Sequence, residues 1–280
     1  WSEKTSAGKI PSVHHKRKEE IHMKTVDLNC DLGESFGNYK CGMDEEILPF
    51  ITSANVACGF HASDPVVMSK TVKNAVKNHV RVGAHPGFPD LVGFGRRKMD
   101  LSPAEITAIT QYQIGALKAF CTAENTTLQH VKPHGALYNM AVKDARIAQA
   151  ICEGIASVDS SLILLAPGSS EMTTAAKQAG LKTACEVFAD RAYEEDGSLV
   201  ARSKPGAMIT DTSLAISRVL QMVEKGTVIS ITGKEIELAA DSICVHGDSP
   251  AALSFVKNIR QALTSHNIRI ASIEETLANR

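Results

Sequence analysis

A chain of 280 residues that is 44% hydrophobic carries enough apolar material to bury one large core. Its formal net charge of -1, with 22% charged residues, leaves no basic footprint for nucleic acid and no acidic tail. One tryptophan and 5% aromatics argue against stacking platforms, and no apolar run approaches the roughly 18 residues of a membrane-spanning helix.

Residues 1–22 are polar and lysine-rich, with His14, His15 and the run Lys16-Arg17-Lys18, and lack the apolar stretch of a secretory signal. They read as a disordered N-terminal extension or cloning remnant, with Met23 opening a single domain over 23–280. From Met23 on, short β-branched runs alternate with helix-length amphipathic segments. The strands are expected at Thr25–Cys30, Ser53–Cys58, Val80–Ala84, Leu128–Lys132, Leu162–Ala166, Thr183–Val187, Val228–Ile231 and Ser242–Val245. Between them, helices are expected at Pro65–Asn78, Pro103–Cys121, Asp144–Ala156, Ser170–Ala179, Asp211–Glu224 and Pro250–Thr264. Seven or eight such units in one α/β chain predict a parallel (β/α) barrel, with a doubly wound sheet as the rival. Ser102-Pro103-Ala104-Glu105 is a capping box, and Asp64-Pro65 and Ser249-Pro250 repeat the cap-then-proline device.

The seven cysteines, at 30, 41, 58, 121, 152, 185 and 244, are scattered and form no CxxC. That usage suits free thiols in a reducing compartment, hence the cytoplasm, and small buried hydrophobes.

Four histidines, His61, His85, His134 and His246, follow short apolar runs beside glycine, proline or aspartate. Strand ends of parallel sheets are where such enzymes keep their chemistry. In the first strand the period of two puts Asp27, Asn29 and Asp31 on one face, where polar groups need partners. Asn29 and Asp31 read as functional; Asp27 reads equally well as structural. Asp64 is best explained as a helix cap, and Asp248 in His246-Gly-Asp248 admits the same explanation. Lys132 shares a strand face with His130 and suits a phosphate, a carboxylate or a developing negative charge, whereas His130 reads as a satisfied interior histidine. A histidine–carboxylate metal site would draw first on Asp31, His61 and His134, with His85 and His246 next; a metal-free acid–base site is the alternative. Gly93-Phe-Gly-Arg-Arg97 offers Arg96 and Arg97 on a loop placed to cover the mouth, and Asp190, Arg191 and Tyr193 follow the Thr183–Val187 strand. An arginine fork at either place suits a substrate carboxylate, and a surface Asp–Arg pair is the plainer reading of the second. HExxH, GxxxxGK[ST] and GxGxxG are all absent, and Gly168-Ser-Ser170 is only a weak anion signal at a helix start.

Together these strings resemble the LamB/YcsF family: Asp27 to Gly37, Ser53 to Asp64, Gly83 to Gly87, Gly93 to Arg97, Val131 to Asn139, Glu186 to Tyr193 and Cys244 to Asp248. The match runs from Lys24 to the C-terminus. Cys30 stands where the family usually has alanine, and Ser63 where it usually has glycine; neither change removes an ionisable side chain. The resemblance implies a distorted (β/α) barrel of the glycoside hydrolase/deacetylase type. It also implies a hydrolase that uses ATP to open 5-oxoproline to L-glutamate with release of ADP and phosphate, in company with subunits B and C. On that reading Asp31, His61, Lys132 and His134 are catalytic. Asn29, His85, Arg96, Arg97, Asp190, Arg191, Tyr193 and His246 line the substrate, and a divalent metal on Asp31, His61 and His134 is an open option. Two other classes fit the same residues: a stand-alone metal-dependent amide hydrolase or deacetylase-like enzyme, and a non-catalytic lactam-binding subunit.

Overall fold

The computed structural model describes Trp1, residues 23–246 and residues 250–280. The expected extension (residues 2–22), Asp248 and the Ser249 cap lie outside the described residues. The chain runs β1 (Thr25–Leu32), α1 (Asp44–Ile47), β2 (Ser53–Ala57), α2 (Pro65–Lys77), β3 (Arg81–His85), α3 (Pro103–Ala123), β4 (Leu128–Val131), α4 (Gly135–Ala141), α5 (Ala145–Val158) and β5 (Ile163–Ala166). It continues through α6 (Glu171–Gln178), β6 (Lys182–Phe188), α7 (Thr212–Lys225), β7 (Thr227–Ile229), β8 (Glu235–Glu237), β9 (Ser242–Val245), α8 (Pro250–Ser265), β10 (Arg269–Ile270) and α9 (Ile273–Ala278).

Seven strands close into a parallel barrel in the order β1-β2-β3-β4-β5-β6-β9, with β9 returning to pair with β1. Closure excludes the doubly wound alternative. The foot of β1 is covered differently: Thr25 and Val26 pair with β10, and β9 takes over from Asp27 to Cys30. The expected strand at Val228–Ile231 needs correction. It is β7, which pairs antiparallel with β8 outside the barrel. The reason is local: Ile229 is exposed, so only one face of β7 is buried, and Gly233 at φ +90° turns the chain straight back.

Barrel strands are buried on both faces, which is why β2, β5 and β9 read as unbroken buried runs. Val26, Leu28, Cys30 and Leu32 join the apolar core, with Ile106, Ile114 and Leu117 of α3 and Ile151 and Ile155 of α5. Each fully buried aliphatic side chain contributes about 1.5–3 kcal/mol, enough in sum to support a polar barrel interior. Asp27, Asn29 and Asp31 face that interior. The Asp31, Asn55, Gly83 and His130 positions are neighbours across four strands. A Cβ on Gly83 would fall 2.1 Å from the His130 ring, so only glycine lets that imidazole cross the interior. Asp64 caps α2 through the Val66 and Val67 amides, and Ser102 with Glu105 closes the capping box of α3, as the sequence predicts. Among the described residues no helix is long and apolar enough to cross a membrane.

Candidate active site

Among the described residues, Asp31, His61, His85, Lys132, His134, Asp190 and His246 lie on or just after the C-terminal end of a barrel strand, and Asp27, Asn29, Asn55 and His130 lie on the interior face below. The lowest rung is Asp27, whose carboxylate accepts hydrogen bonds from Thr52 (2.7 Å), Ser53 (2.6 Å) and Ser242. Burial pushes its pKa up to about 6 despite those bonds. Above it the Asn29 amide donates to Ser242 Oγ (2.7 Å), and Asn55 donates to Asn29 Oδ1 (2.8 Å) and Asp31 Oδ1 (2.9 Å). His130 Nε2 lies 2.7 Å from Asn55 Oδ1, an acceptor, so this ring donates. His130 is thus the interior histidine expected, held neutral as burial lowers its pKa to about 3.

Lys132 is 3% exposed, and its ammonium has four partners: Asp31 Oδ1 at 3.0 Å, Glu186 Oε1 at 2.7 Å, Asn29 Oδ1 at 3.3 Å and Cys244 Sγ at 3.2 Å. Burial alone would lower its pKa, but Asp31, Cys244 and Glu186 outweigh burial and hold it well above the usual lysine value. Its three hydrogens are therefore committed within the protein. Tyr138, carried by α4, donates to the other oxygen of Glu186 at 2.9 Å.

At the mouth, Asp31 Oδ2 approaches His85 Nε2 at 3.3 Å. Burial would raise the Asp31 carboxyl, but His85 and Lys132 overcome it and hold the group well below the carboxylate range. His85 Nδ1 lies 2.7 Å from the Lys132 carbonyl, and His134 Nε2 lies 2.8 Å from the Phe94 carbonyl. Carbonyls only accept, so both of those nitrogens carry a proton. The other ring nitrogens, His85 Nε2 and His134 Nδ1, lie 2.9 Å apart, at hydrogen-bond distance. His61 stacks flat on His134 with ring centroids 3.6 Å apart, and its Nε2 meets Glu34 Oε1 at 3.1 Å. Burial first, and then the neighbouring rings, push His61 and His134 well below the ordinary histidine value. Glu34 Oε1 also lies 3.7 Å from His134 Nδ1. The donor atoms of Glu34, His61, His85 and His134 all fall within 4.8 Å of one another, whereas Asp31 groups instead with Cys244 and His246.

The remaining candidates fall into place around this centre. The 93–97 loop does cover the imidazoles: Phe94 meets His61 and His134 edge-on. A Cβ on Gly95 would strike both of those histidines. Arg97 is tied to Asp90, outside the cluster. Arg96 is exposed, with its guanidinium 5.0 Å over the Phe94 ring. Asp190 pairs with His246 Nδ1 at 2.8 Å. That pair raises the His246 pKa against burial and lowers the Asp190 pKa against burial. Arg191 is buried and donates to the Val200 carbonyl, while the Tyr193 hydroxyl accepts from the Phe188 amide. Both brace the 189–208 segment. The start of α6 is already occupied, since the Ser170, Glu171 and Thr173 amides bond to Thr173, Val142 and Ser170. A cavity of about 500 Å³ beside it shares no lining residue with the histidine cluster.

Four functional residues, Glu34, Asn55, Glu186 and Cys244, do not stand out from the sequence on their own. The available signal was a polar residue inside a strand buried on both faces, which Asn55 and Glu186 both are. Cys244 is a buried thiol like Cys30, Cys58, Cys121, Cys152 and Cys185, yet it also accepts from Lys132.

Comparison with known proteins agrees with the fold. Residues 26–278 match the model of the LamB/YcsF family. A Clostridium beijerinckii protein named as the A subunit of 5-oxoprolinase is 63% identical over 253 residues, covering 90% of this chain and 99% of that relative. A Pyrococcus abyssi protein of the same name is 54% identical, covering 89% and 98%. The crystal structure of a lactam utilization protein from Thermus thermophilus superposes with a TM-score of 0.85 at 45% identity, covering 89% of this chain and 99% of that one.

Proposed function

The chain belongs to the LamB/YcsF family, and we propose that it serves as the A subunit of a 5-oxoprolinase. With subunits B and C it would open 5-oxoproline, the five-membered lactam of glutamate, to L-glutamate while ATP becomes ADP and phosphate. The names of its relatives support the substrate. The structural observation that carries the reading is the buried Lys132, clamped by Asp31 and Glu186 beneath imidazoles at the barrel mouth.

An unstrained lactam keeps its amide resonance, so water opens it slowly. Coupling to ATP removes that resonance. The lactam oxygen takes the γ-phosphoryl group as ADP leaves, and water adds to the activated carbon. The C–N bond then breaks as nitrogen gains a proton, and a second water frees phosphate from the acyl phosphate. In this scheme Lys132 acts through its field on developing negative charge, since its hydrogens are committed. Asn29 and Asn55 keep Asp31 aimed. His246, charged against Asp190, gives the proton to the leaving nitrogen. Arg96 takes the substrate carboxylate at the mouth. His61, His85, His134 and Asp31 prepare the attacking water. The Glu34, His85 and His134 donor set also fits a divalent metal, which supplies Lewis-acid polarisation when bound. The buried free thiols support a cytoplasmic location.

The test is ATP-dependent glutamate release from 5-oxoproline by this chain alone and with both partners. Release by the full complex that disappears on Lys132→Met is expected; unchanged turnover in that variant defeats the proposal. The histidine–glutamate cluster also favours a second reading, a stand-alone metal-dependent amide hydrolase. Chelator-sensitive hydrolysis by the chain without ATP would establish it.

A further inference from the structure

We propose that Tyr138 is a positioning residue for the Lys132 site: its hydroxyl fixes the carboxylate of Glu186 and, through that carboxylate, the ammonium of Lys132. The contact is direct, since the buried Tyr138 hydroxyl donates to Glu186 Oε2 at 2.9 Å. Among the described residues it is the one hydrogen bond that the Glu186 side chain receives. Glu186 Oε1 accepts none there and faces Lys132 Nζ at 2.7 Å as an ion pair alone. The three hydrogens of Lys132 go instead to Asn29, Asp31 and Cys244. Asp31 is shared with Asn55 and His85, so Glu186 is the carboxylate that Lys132 has to itself.

Tyr138 sits one helical turn after His134 on α4, and the start of α4 is clasped from below and above. The His134 amide donates to the Pro86 carbonyl at 2.8 Å, and the Ala136 amide donates to the Gly95 carbonyl at 2.9 Å. Gly135 takes φ +56°, and a Cβ there would lie 2.6 Å from the Gly95 oxygen, so only glycine lets the helix start this close to the 93–97 loop. On its other side the Tyr138 ring meets Phe188 edge-on at 6.3 Å, and Lys132 Nζ lies 5.4 Å over the Phe188 ring. Tyr138, Glu186, Lys132 and Phe188 therefore close a circuit of contacts. Burial, and then the Glu186 charge, push the Tyr138 pKa well above the usual phenol value, so the hydroxyl keeps its proton and stays a donor. Phenylalanine would fill the same space but leave a buried carboxylate without a hydrogen bond. A misplacement of about 1 Å at a working group is enough to slow a reaction by about 100-fold.

The effect on turnover rests on the lactam reading, so the test carries a second readout that does not. In the full complex, Tyr138→Phe should lower kcat by about 10–100-fold with KM within about threefold, because the hydroxyl serves Glu186 and not the substrate. Tyr138→fluorotyrosine keeps ring and hydroxyl and should hold kcat within about threefold. In the full-length chain, nitrogen-15 spectra follow the Lys132 ammonium, assigned through its contact with the Phe188 ring. Tyr138→Phe should shift that signal and speed exchange of its protons with water by about tenfold or more. Unchanged kcat in an active complex overturns the proposal, and so does a fluorotyrosine variant as slow as Tyr138→Phe. If the wild-type complex releases no glutamate, the lactam reading fails and the spectrum decides alone: a moved Lys132 signal supports the proposal and an unmoved one overturns it. Should Tyr138→Phe not fold, the phenolic proton of the wild type decides. Slow exchange with a downfield shift supports the bond to Glu186, and free exchange refutes it.

Discussion

The barrel interior contains two polar regions built on the same face of the same strand, and they differ in kind. In the lower one, donors run in a single consistent direction: His130 to Asn55, Asn55 to Asn29, Asn29 to Ser242, and Ser242 to Asp27. In the upper one, the His85 and His134 rings meet at 2.9 Å, His61 stacks on His134, and Lys132 has more acceptors than hydrogens. A buried polar group that serves only the fold finds its partners within the chain. A cluster that packs a lysine, carboxylates and imidazoles with strongly shifted pKa values at a strand-end mouth is arranged for chemistry. The boundary falls at Asp31, which belongs to both.

The largest effect should come from Lys132, where the contrast is sharpest. Lys132→Met strands Asp31 and Glu186 in the interior, and loss of one partner of a buried ionic group costs about 3–5 kcal/mol. Turnover of the complex should fall by more than about 1000-fold, with a lowered midpoint in urea unfolding. Arginine should not rescue it, because the flat guanidinium does not fit the space of a compact ammonium. A stable, active Lys132→Met protein would erase the distinction between the two regions.

The next contrast sets His134 against His130. His134→Gln should reduce turnover by about 100-fold while leaving stability within about 1 kcal/mol, because the glutamine amide can still donate to the Phe94 carbonyl. His130→Leu should do the reverse. It leaves Asn55 Oδ1 with one donor fewer, at about 1–3 kcal/mol of stability, and a smaller change in turnover. Unfolding curves and initial rates of both variants check the pair together.

This difference bears on what a sequence can reveal. The barrel was legible because its strands are short buried runs separated by capped helices, and Asp64-Pro65 and Ser102-Pro103 act locally. The side hairpin was not, since Val228–Ile231 is as β-prone as a barrel strand and only its neighbours reveal which face is covered. At the site, Asp31, His61 and His134 were visible as ionisable groups at strand ends. Glu34 and Glu186 were not, because their partners lie 27 and 54 positions away along the chain, at His61 and Lys132. Donor direction at His130, His85 and His134 depends on carbonyls and amides that sequence does not place.

A smaller effect is expected where the mouth meets solvent. His246 and Asp190 hold each other charged. The Asp190 contribution is present above the ordinary aspartate value and lost as pH falls through its lowered one. The His246 contribution is present below the ordinary histidine value and lost as pH rises through its raised one. Turnover that uses the His246 proton should therefore decline on the alkaline side, above pH 6.5, the ordinary histidine value. His246→Gln should lower the rate by about 10–100-fold and flatten that limb. A limb that persists in the variant would assign the proton to another group.

The smallest effect on turnover should come from the bottom rung. Asp27 has a pKa of about 6 in the fold against 3.8 as the ordinary value, so the folded protein prefers it protonated. Its contribution is present below the ordinary value and lost as pH rises through about 6. Asp27→Asn carries no such titration. Its Oδ1 can still accept from Thr52 and Ser53, and one hydrogen bond with Ser242 is rearranged, a change of about 1 kcal/mol. The variant should match the wild type in turnover. The stability difference should shift toward the wild type by about 2.4 kcal/mol between pH 7 and pH 4, most of the full effect of a shift of roughly two pK units. Urea unfolding of both proteins across that range reads it directly. A pH-independent difference would mean that Asp27 is ionised throughout. The lower region would then hold charge as the mouth does, and the line between them would have to be drawn below Asp27.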